Sequence, residues 1–123
     1  MGQTKLGRIC VDFDETIVLR GTGLSIKSVV PHCKEALHLL KVKGYEIVVA
    51  SCRTNKRFGG KEGKGHKDMF EFLKTNNIQH DHVDDGTKGK VVATFYVDDR
   101  GVGMPMKDGH VNWRKVYNII IGE

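Results

Sequence analysis

The stretch RICVDFDET, Arg8 to Thr16, decides the fold. Its first part is a short, bounded apolar run rich in β-formers, which reads as a buried strand over Arg8–Phe13. It ends in acid, at Asp12 and Asp14. The same pattern recurs twice further along. YEIVVA, Tyr45 to Ala50, is a second buried strand and runs into Ser51. TFYV, Thr94 to Val97, is a third and runs into Asp98-Asp99. Between the first two, Pro31 stands near a helix start, where its missing N–H costs least. Ala36, Leu37, Leu39, Leu40 and Val42 follow at roughly helical spacing, and Gly44 ends the run. After Ser51, Gly59, Gly60, Gly63 and Gly65 mark a mobile loop. A helix resumes near His66, with Met69, Phe70, Phe72 and Leu73 as its apolar positions and Asn76-Asn77 closing it. A weak strand near Gln79–Val83, a turn at Asp84-Asp85-Gly86 and a last helix over about Asn112–Ile119 complete the pattern. Trp113, Val116 and Tyr117 of that helix are expected to face inward.

Strands separated by helices imply right-handed crossovers and a parallel sheet covered on both faces. The expected class is α/β: a three-layer α/β/α sandwich around a central, mainly parallel, Rossmann-like sheet. Ligands of such sheets bind beyond the carboxyl ends of the strands. Asp12 and Asp14, Ser51, and Asp98-Asp99 each follow a strand, so all are expected on that one edge.

The bulk properties agree with a single domain over residues 1–123. Apolar residues make up 39% and charged residues 28%, which argues against wholesale disorder. No apolar run approaches the length of a membrane span. Met1 to Arg8 lacks an apolar signal core, so a cytoplasmic location and no membrane partner are expected. Cys10, Cys33 and Cys52 are odd in number and widely spaced, which suits free thiols in a reducing compartment better than zinc or disulfides. The net charge of +5 favours anionic ligands without choosing among them. Much of it lies in RTNKRFGGKEGKGHK, Arg53 to Lys67, which a solvated loop explains as well as a nucleic-acid patch does.

DFDET, Asp12 to Thr16, places two carboxylates on one side of a continuing strand. Carboxylates this close repel unless a cation or proton lies between them. Magnesium, which takes a few carboxylates together with substrate phosphate, is the natural solution. Asp98 and Asp99 supply further oxygens from a neighbouring strand, and Lys90 offers balancing positive charge.

These residues carry a resemblance to the haloacid dehalogenase-like superfamily. DFDET resembles its first motif, an apolar strand followed by DxDxT. VVASCRT is similar to the second, an apolar strand ending in Ser or Thr. KVVATFYVDDR, Lys90 to Arg100, resembles the third and fourth together. The likeness runs from about residue 8 to 115, and SCRT and YVDDR are most like those of small capless members. It implies a magnesium-dependent phosphatase acting on a phosphate monoester, with Asp12 as the nucleophile that forms an aspartyl-phosphate. Asp14 would be the acid–base partner. Thr16 would hold the loop beside the substrate, Ser51 would bond a phosphoryl oxygen, and Lys90 would pair with Asp12 and the phosphoryl group. Arg53 would reach a substrate phosphate or leaving group. Asp12, Asp98 and Asp99, with the backbone carbonyl of Asp14, would make the magnesium site, with the division of labour between Asp98 and Asp99 left open. Loops and one crossover helix use up each interval between motifs, so no cap domain is expected and the site should be open. Residues 57–65 could serve as a small flap.

Three other readings compete. A receiver-type signalling domain would want an acceptor Asp where Ser51 stands. A catalytically weak scaffold on the same fold would have little use for the full set of site residues. A phosphatase for nucleic-acid or nucleotide ends is a variant of the main reading, supported by the basic charge and the open site. The partner is thus a phosphorylated small molecule or a macromolecular phosphate, with nucleic acid and a second copy of the chain open as partners.

Overall fold

The computed structural model describes residues 6–122. At its centre β1 (Gly7–Asp12) lies between β4 (Tyr45–Ala50) and β6 (Phe95–Val97), and β5 (His82–Val83) forms the edge beyond β4. All pairings in this four-stranded sheet are parallel. The mixed α/β class with a central parallel sheet is therefore present as expected, and β1 and β4 fall within a residue of where their apolar runs place them.

The connections determine what covers each face. From β1 the chain passes through the hairpin β2 (Val18–Arg20) and β3 (Ile26–Val29), then α1 (Cys33–Lys43), into β4. From β4 it passes through three single 3-10 turns (Cys52–Thr54, Lys56–Phe58, Gly60–Glu62) and α2 (Lys64–Thr75) into β5. Both crossovers step in the same direction across the sheet, so right-handed connections put both helices on one face. That face carries Ile9, Val11, Ile47, Val49 and Val97, all buried in one core with Leu37, Leu40, Met69 and Leu73. Phe13 meets Phe72 of α2 edge-on at 6.3 Å. After β6 come a second hairpin, β7 (Met106–Lys107) and β8 (His110–Val111), and then α3 (Trp113–Ile121). That helix packs against α1 on the same face, burying Trp113, Val116 and Ile120, while Tyr117 is half-buried.

The return from β5 to β6 runs the other way and crosses the opposite face. It consists of residues 84–94, which contain no helix. This second outer layer is a strap of irregular chain rather than the helical layer of the expected sandwich, because the segment is used up in spanning the two central strands. Beneath it the sheet alternation puts Arg8, Cys10, Glu46, Val48, His82 and Tyr96, a largely polar set. Arg8 Nε donates to Glu46 Oε1 at 2.9 Å, and Arg8 Nη1 holds the strap through the Val92 carbonyl at 3.1 Å.

The glycine-rich stretch is folded into the consecutive turns rather than an open loop. A Cβ at Gly63 would lie 2.2 Å from the Phe58 carbonyl oxygen, and Gly65 belongs to the first turn of α2. Phe70, one of the apolar positions expected in this helix, is 54% exposed, and Met69 and Leu73 are the side chains that α2 buries. Between Thr16 and Lys90 no further folded unit is inserted among the described residues. All three cysteines are unpaired. No described helix is long and apolar enough to cross a membrane.

Candidate functional site

Register assembles the site. Val11 is level with Val97, Asp12 with Ala50, and Val49 with Val83. The residues that follow, Asp98 and Asp84, therefore stand at the level of Asp12, on the same side of the sheet. Ala50, between Asp84 and Asp12, is too small to fill the space. A cleft of about 560 Å³ opens at this edge, and Asp12, Asp14, Glu15, Asp84, Asp98 and Asp99 all line it. Asp84 was read from sequence as part of a plain turn. Its strand has two residues, too few to show that it ends on the same edge.

Asp14 is placed by the turn that follows Phe13. The Phe13 carbonyl accepts from the N–H groups of Ile17 (2.9 Å) and Val18 (3.1 Å), which reverses the chain within one turn. Glu15 makes the reversal in the left-handed region, at φ 64°, a costly conformation for a residue with a side chain. Its Oε1 offsets part of that cost by accepting from Arg20 N at 3.0 Å and Arg20 Nε at 3.2 Å.

Arg53 departs most from expectation. Its side chain is 0% exposed and does not face the opening. Nε donates to Asp14 Oδ2 at 2.9 Å and Nη2 to Asp14 Oδ1 at 2.8 Å, a bidentate pair. The remaining donors reach Gly65 O (3.1 Å) and Leu24 O (2.7 Å), and the guanidinium lies 5.1 Å from the centre of the Phe13 ring. Gly65 lies against this pair: a Cβ there would press on Leu24 Cδ1 at 2.9 Å and make ordinary contact with Arg53 Cβ at 3.7 Å. A substrate contact by this side chain is thereby replaced by an internal one: Arg53 orients the Asp14 carboxylate.

Thr16 is likewise fully buried. Its hydroxyl oxygen accepts from Asp99 N–H at 3.1 Å, and its carbonyl accepts from Trp113 Nε1 at 2.8 Å. It ties the two acid-bearing loops to α3, so it holds the loop and is not itself open to a substrate. Ser51 lines the cleft, and its Oγ accepts from Arg53 N–H at 3.1 Å. That leaves the hydroxyl proton free to be donated. Asp98 Oδ1 accepts from Arg100 N–H at 2.8 Å. Lys90 is exposed, is not among the cleft-lining residues, and lies over the ring of Tyr96, which is.

The electrostatics follow from this crowding. Asp12 is pushed up to about 7, first by burial and then by the charges of Asp99 and Asp14, against a lowering hydrogen bond from the Phe13 backbone. Asp99 is raised too, mainly by burial, with the Arg100 charge opposing. Burial, reinforced by the nearby Asp84 and Asp12 charges, also raises the Cys10 thiol at the cleft floor. Among the described residues no three His, Cys, Asp or Glu side chains already form a metal cage. The donor set nevertheless fits magnesium, which needs only one or two carboxylates and keeps its own waters. Asp12, Asp98 and Asp99 are suited to hold it through their carboxylates, whereas both Asp14 carboxylate oxygens are engaged by Arg53, which leaves Asp14 its backbone carbonyl for that role.

A pH dependence follows. A carboxyl whose folded pKa is raised contributes stability that is complete below its unfolded pKa and lost as pH rises through the folded one. In metal-free protein this loss falls between about pH 4 and pH 7 and amounts to at most about 4 kcal/mol. Asp12→Asn is therefore expected to melt well above wild type at pH 8, with the gap closing at pH 5. Magnesium should raise the wild-type melting temperature at pH 8 more than that of the variant. Equal melting curves at both pH values would show that Asp12 carries no such charge burden.

No protein-family model matches the chain, and no curated protein matches it. Among solved structures it is similar to a conserved protein from Bacteroides thetaiotaomicron, with a TM-score of 0.72 and 25% identity over 94% of this chain and 90% of that one. That likeness covers nearly the whole chain, and the architecture of a small parallel α/β domain is common to the two proteins.

Proposed function

We propose that this protein is a magnesium-dependent phosphohydrolase of the haloacid dehalogenase-like type, cleaving a phosphate monoester through an aspartyl-phosphate on Asp12. The observation that carries the reading is the convergence of Asp12, Asp14, Ser51, Asp98 and Asp99 on one open cleft at the carboxyl ends of parallel strands.

In the first half-reaction an Asp12 carboxylate oxygen attacks phosphorus, and the bond from phosphorus to the leaving oxygen breaks. Asp14, which Arg53 holds as a carboxylate in the free protein, turns out of that pair, takes up a proton from solvent and gives it to that oxygen. In the second, water attacks the aspartyl-phosphate, Asp14 takes the proton back, and inorganic phosphate leaves with the Asp12 carboxylate restored. The Ser51 hydroxyl donates to a phosphoryl oxygen, and Lys90 supplies positive charge to the transferring group. Magnesium, when held by Asp12, Asp98 and Asp99, supplies charge neutralisation that lets an anionic ester approach an anionic nucleophile.

The test is beryllofluoride, which mimics a phosphoryl group on a carboxylate. Bound fluoride should appear in the ¹⁹F spectrum with magnesium present, and vanish in Asp12→Asn. Magnesium-dependent release of phosphate from an aryl phosphate should accompany it. Absence of both would end the proposal. The exposed Lys56, Arg57, Lys64 and Lys67, in the segment that follows the cleft-lining Ser51 and Cys52, favour a macromolecular phosphate as a second reading. Steeply salt-dependent binding of 3′- or 5′-phosphorylated oligonucleotides would support it, and salt-independent binding would count against it.

A further inference from the structure

We propose that the ring of Tyr96 is a resting seat for the Lys90 ammonium, holding it out of the acidic cleft until a phosphoryl group at Asp12 draws it in. The proposal rests on the phosphohydrolase reading for its second position and on geometry for its first. Lys90 Nζ lies 5.1 Å from the centre of the Tyr96 ring, within the range over which an aromatic face attracts a cation. The ring itself is fixed. Its phenol O–H donates to Val91 O at 2.5 Å, and the same oxygen accepts from Ala93 N–H at 3.1 Å. Arg8 adds two ties to the same strap, from Nη1 to Val92 O and from Thr94 N–H to its own carbonyl. The backbone on the carboxyl side of Lys90 is thus held, while its four-carbon stem is exposed and free to turn.

The destination is close. Tyr96 is the register partner of Cys10, on the face of the sheet that carries Asp12, and both Tyr96 and Asp12 line the cleft. The seat has work to do because the cleft is rich in carboxylates. A lysine on a flexible stem would otherwise settle among them and take the place of a divalent cation. Attraction by the ring face at an exposed site is weak enough to be reversed when a phosphoryl group adds negative charge at Asp12.

The test follows the Lys90 ε-methylene protons by NMR, assigned with Lys90→Arg. In the free protein they should be shifted upfield by the ring, and the shift should be lost in Tyr96→Leu. In wild type it should also be lost on adding magnesium and beryllofluoride. Tyr96→Phe, which keeps the ring but not the hydroxyl clamp, should retain it. The magnesium concentration giving half-maximal protection against thermal unfolding should rise about two- to fivefold in Tyr96→Leu. It should stay at the wild-type value in Tyr96→Phe, and the rise should be absent when Lys90→Ala is combined with Tyr96→Leu. A merely structural Tyr96 would shift the midpoint regardless of Lys90, which would overturn the seat. So would an unshifted Lys90 signal in free wild type. Bound beryllofluoride with Lys90 still over the ring would overturn the movement alone. Failure of beryllofluoride to bind at all would overturn the second position, and a lack of magnesium-dependent phosphate release as well would overturn the phosphohydrolase reading with it.

Discussion

Replacing Arg53 by methionine should lower the folding stability by about 3–5 kcal/mol, the usual consequence of leaving one partner of a buried ion pair uncompensated. The side chain is fully buried and its carboxylate partner nearly so, so solvent screens the pair little. The substitution also removes the guanidinium bonds to the carbonyls of Gly65 and Leu24. Against a typical total of about 5–15 kcal/mol, this loss is large enough to read directly in a denaturant titration. Arg53→Lys should recover only part of it, since an ammonium cannot form the two-pronged contact. The double variant Asp14→Asn with Arg53→Met should be less destabilised than the sum of the two single changes, because no charge is then left buried alone. Strict additivity would mean that the two residues do not depend on one another, and a loss below about 1 kcal/mol would mean that the pair is not the anchor described above.

The largest expected effect on activity belongs to Asp12→Asn. An amide cannot serve as the nucleophile, so phosphate release should fall by about 10⁴-fold or more, the scale seen when a nucleophile is removed. The same variant is expected to be at least as stable as wild type without metal at pH 8, because the burial of charge that chiefly raises Asp12, and the repulsion from Asp99 and Asp14, are both relieved. Lost turnover in a protein that melts no lower separates missing chemistry from misfolding. A residual rate within tenfold of wild type would rule out a covalent step on Asp12, leaving only direct attack by water.

Much of the frame could be read from the residues. Ile9-Cys10-Val11 and Ile47-Val48-Val49 are continuous apolar runs because both faces of the strands are buried there, and runs of that kind with a punctuating Gly44 are unambiguous. That the acids of DFDET and YVDDR share an edge followed from parallel strands alone. What could not be read depends on contacts between distant segments. Arg53 sits at the start of a basic run and looks like a surface residue. Only the approach of Gly65, Leu24 and Asp14 makes it an internal one. Asp84 was hidden by the shortness of β5. The strap was missed because no local pattern reports the direction in which a chain crosses a sheet. One feature was legible and overlooked: Asp108-Gly109, with φ of 54° and 83°, is the two-residue turn that such a pair favours between antiparallel strands. Its flanking strands, at two residues each, are too short for alternation to show.

The strap over residues 84–94 divides the molecule's obligations. The packed core lies on the helical face, and the strap contributes none of the fully buried core residues to it. The free-energy cost of lengthening such a connection grows only with the logarithm of its length, about 0.6 kcal/mol for each doubling. New chain introduced beside Asp84, the strap residue that lines the cleft, would leave the packing of α1, α2 and α3 untouched. The segment is accordingly the natural place to graft a recognition loop, so that specificity could be rewritten without the fold having to be rebuilt around it.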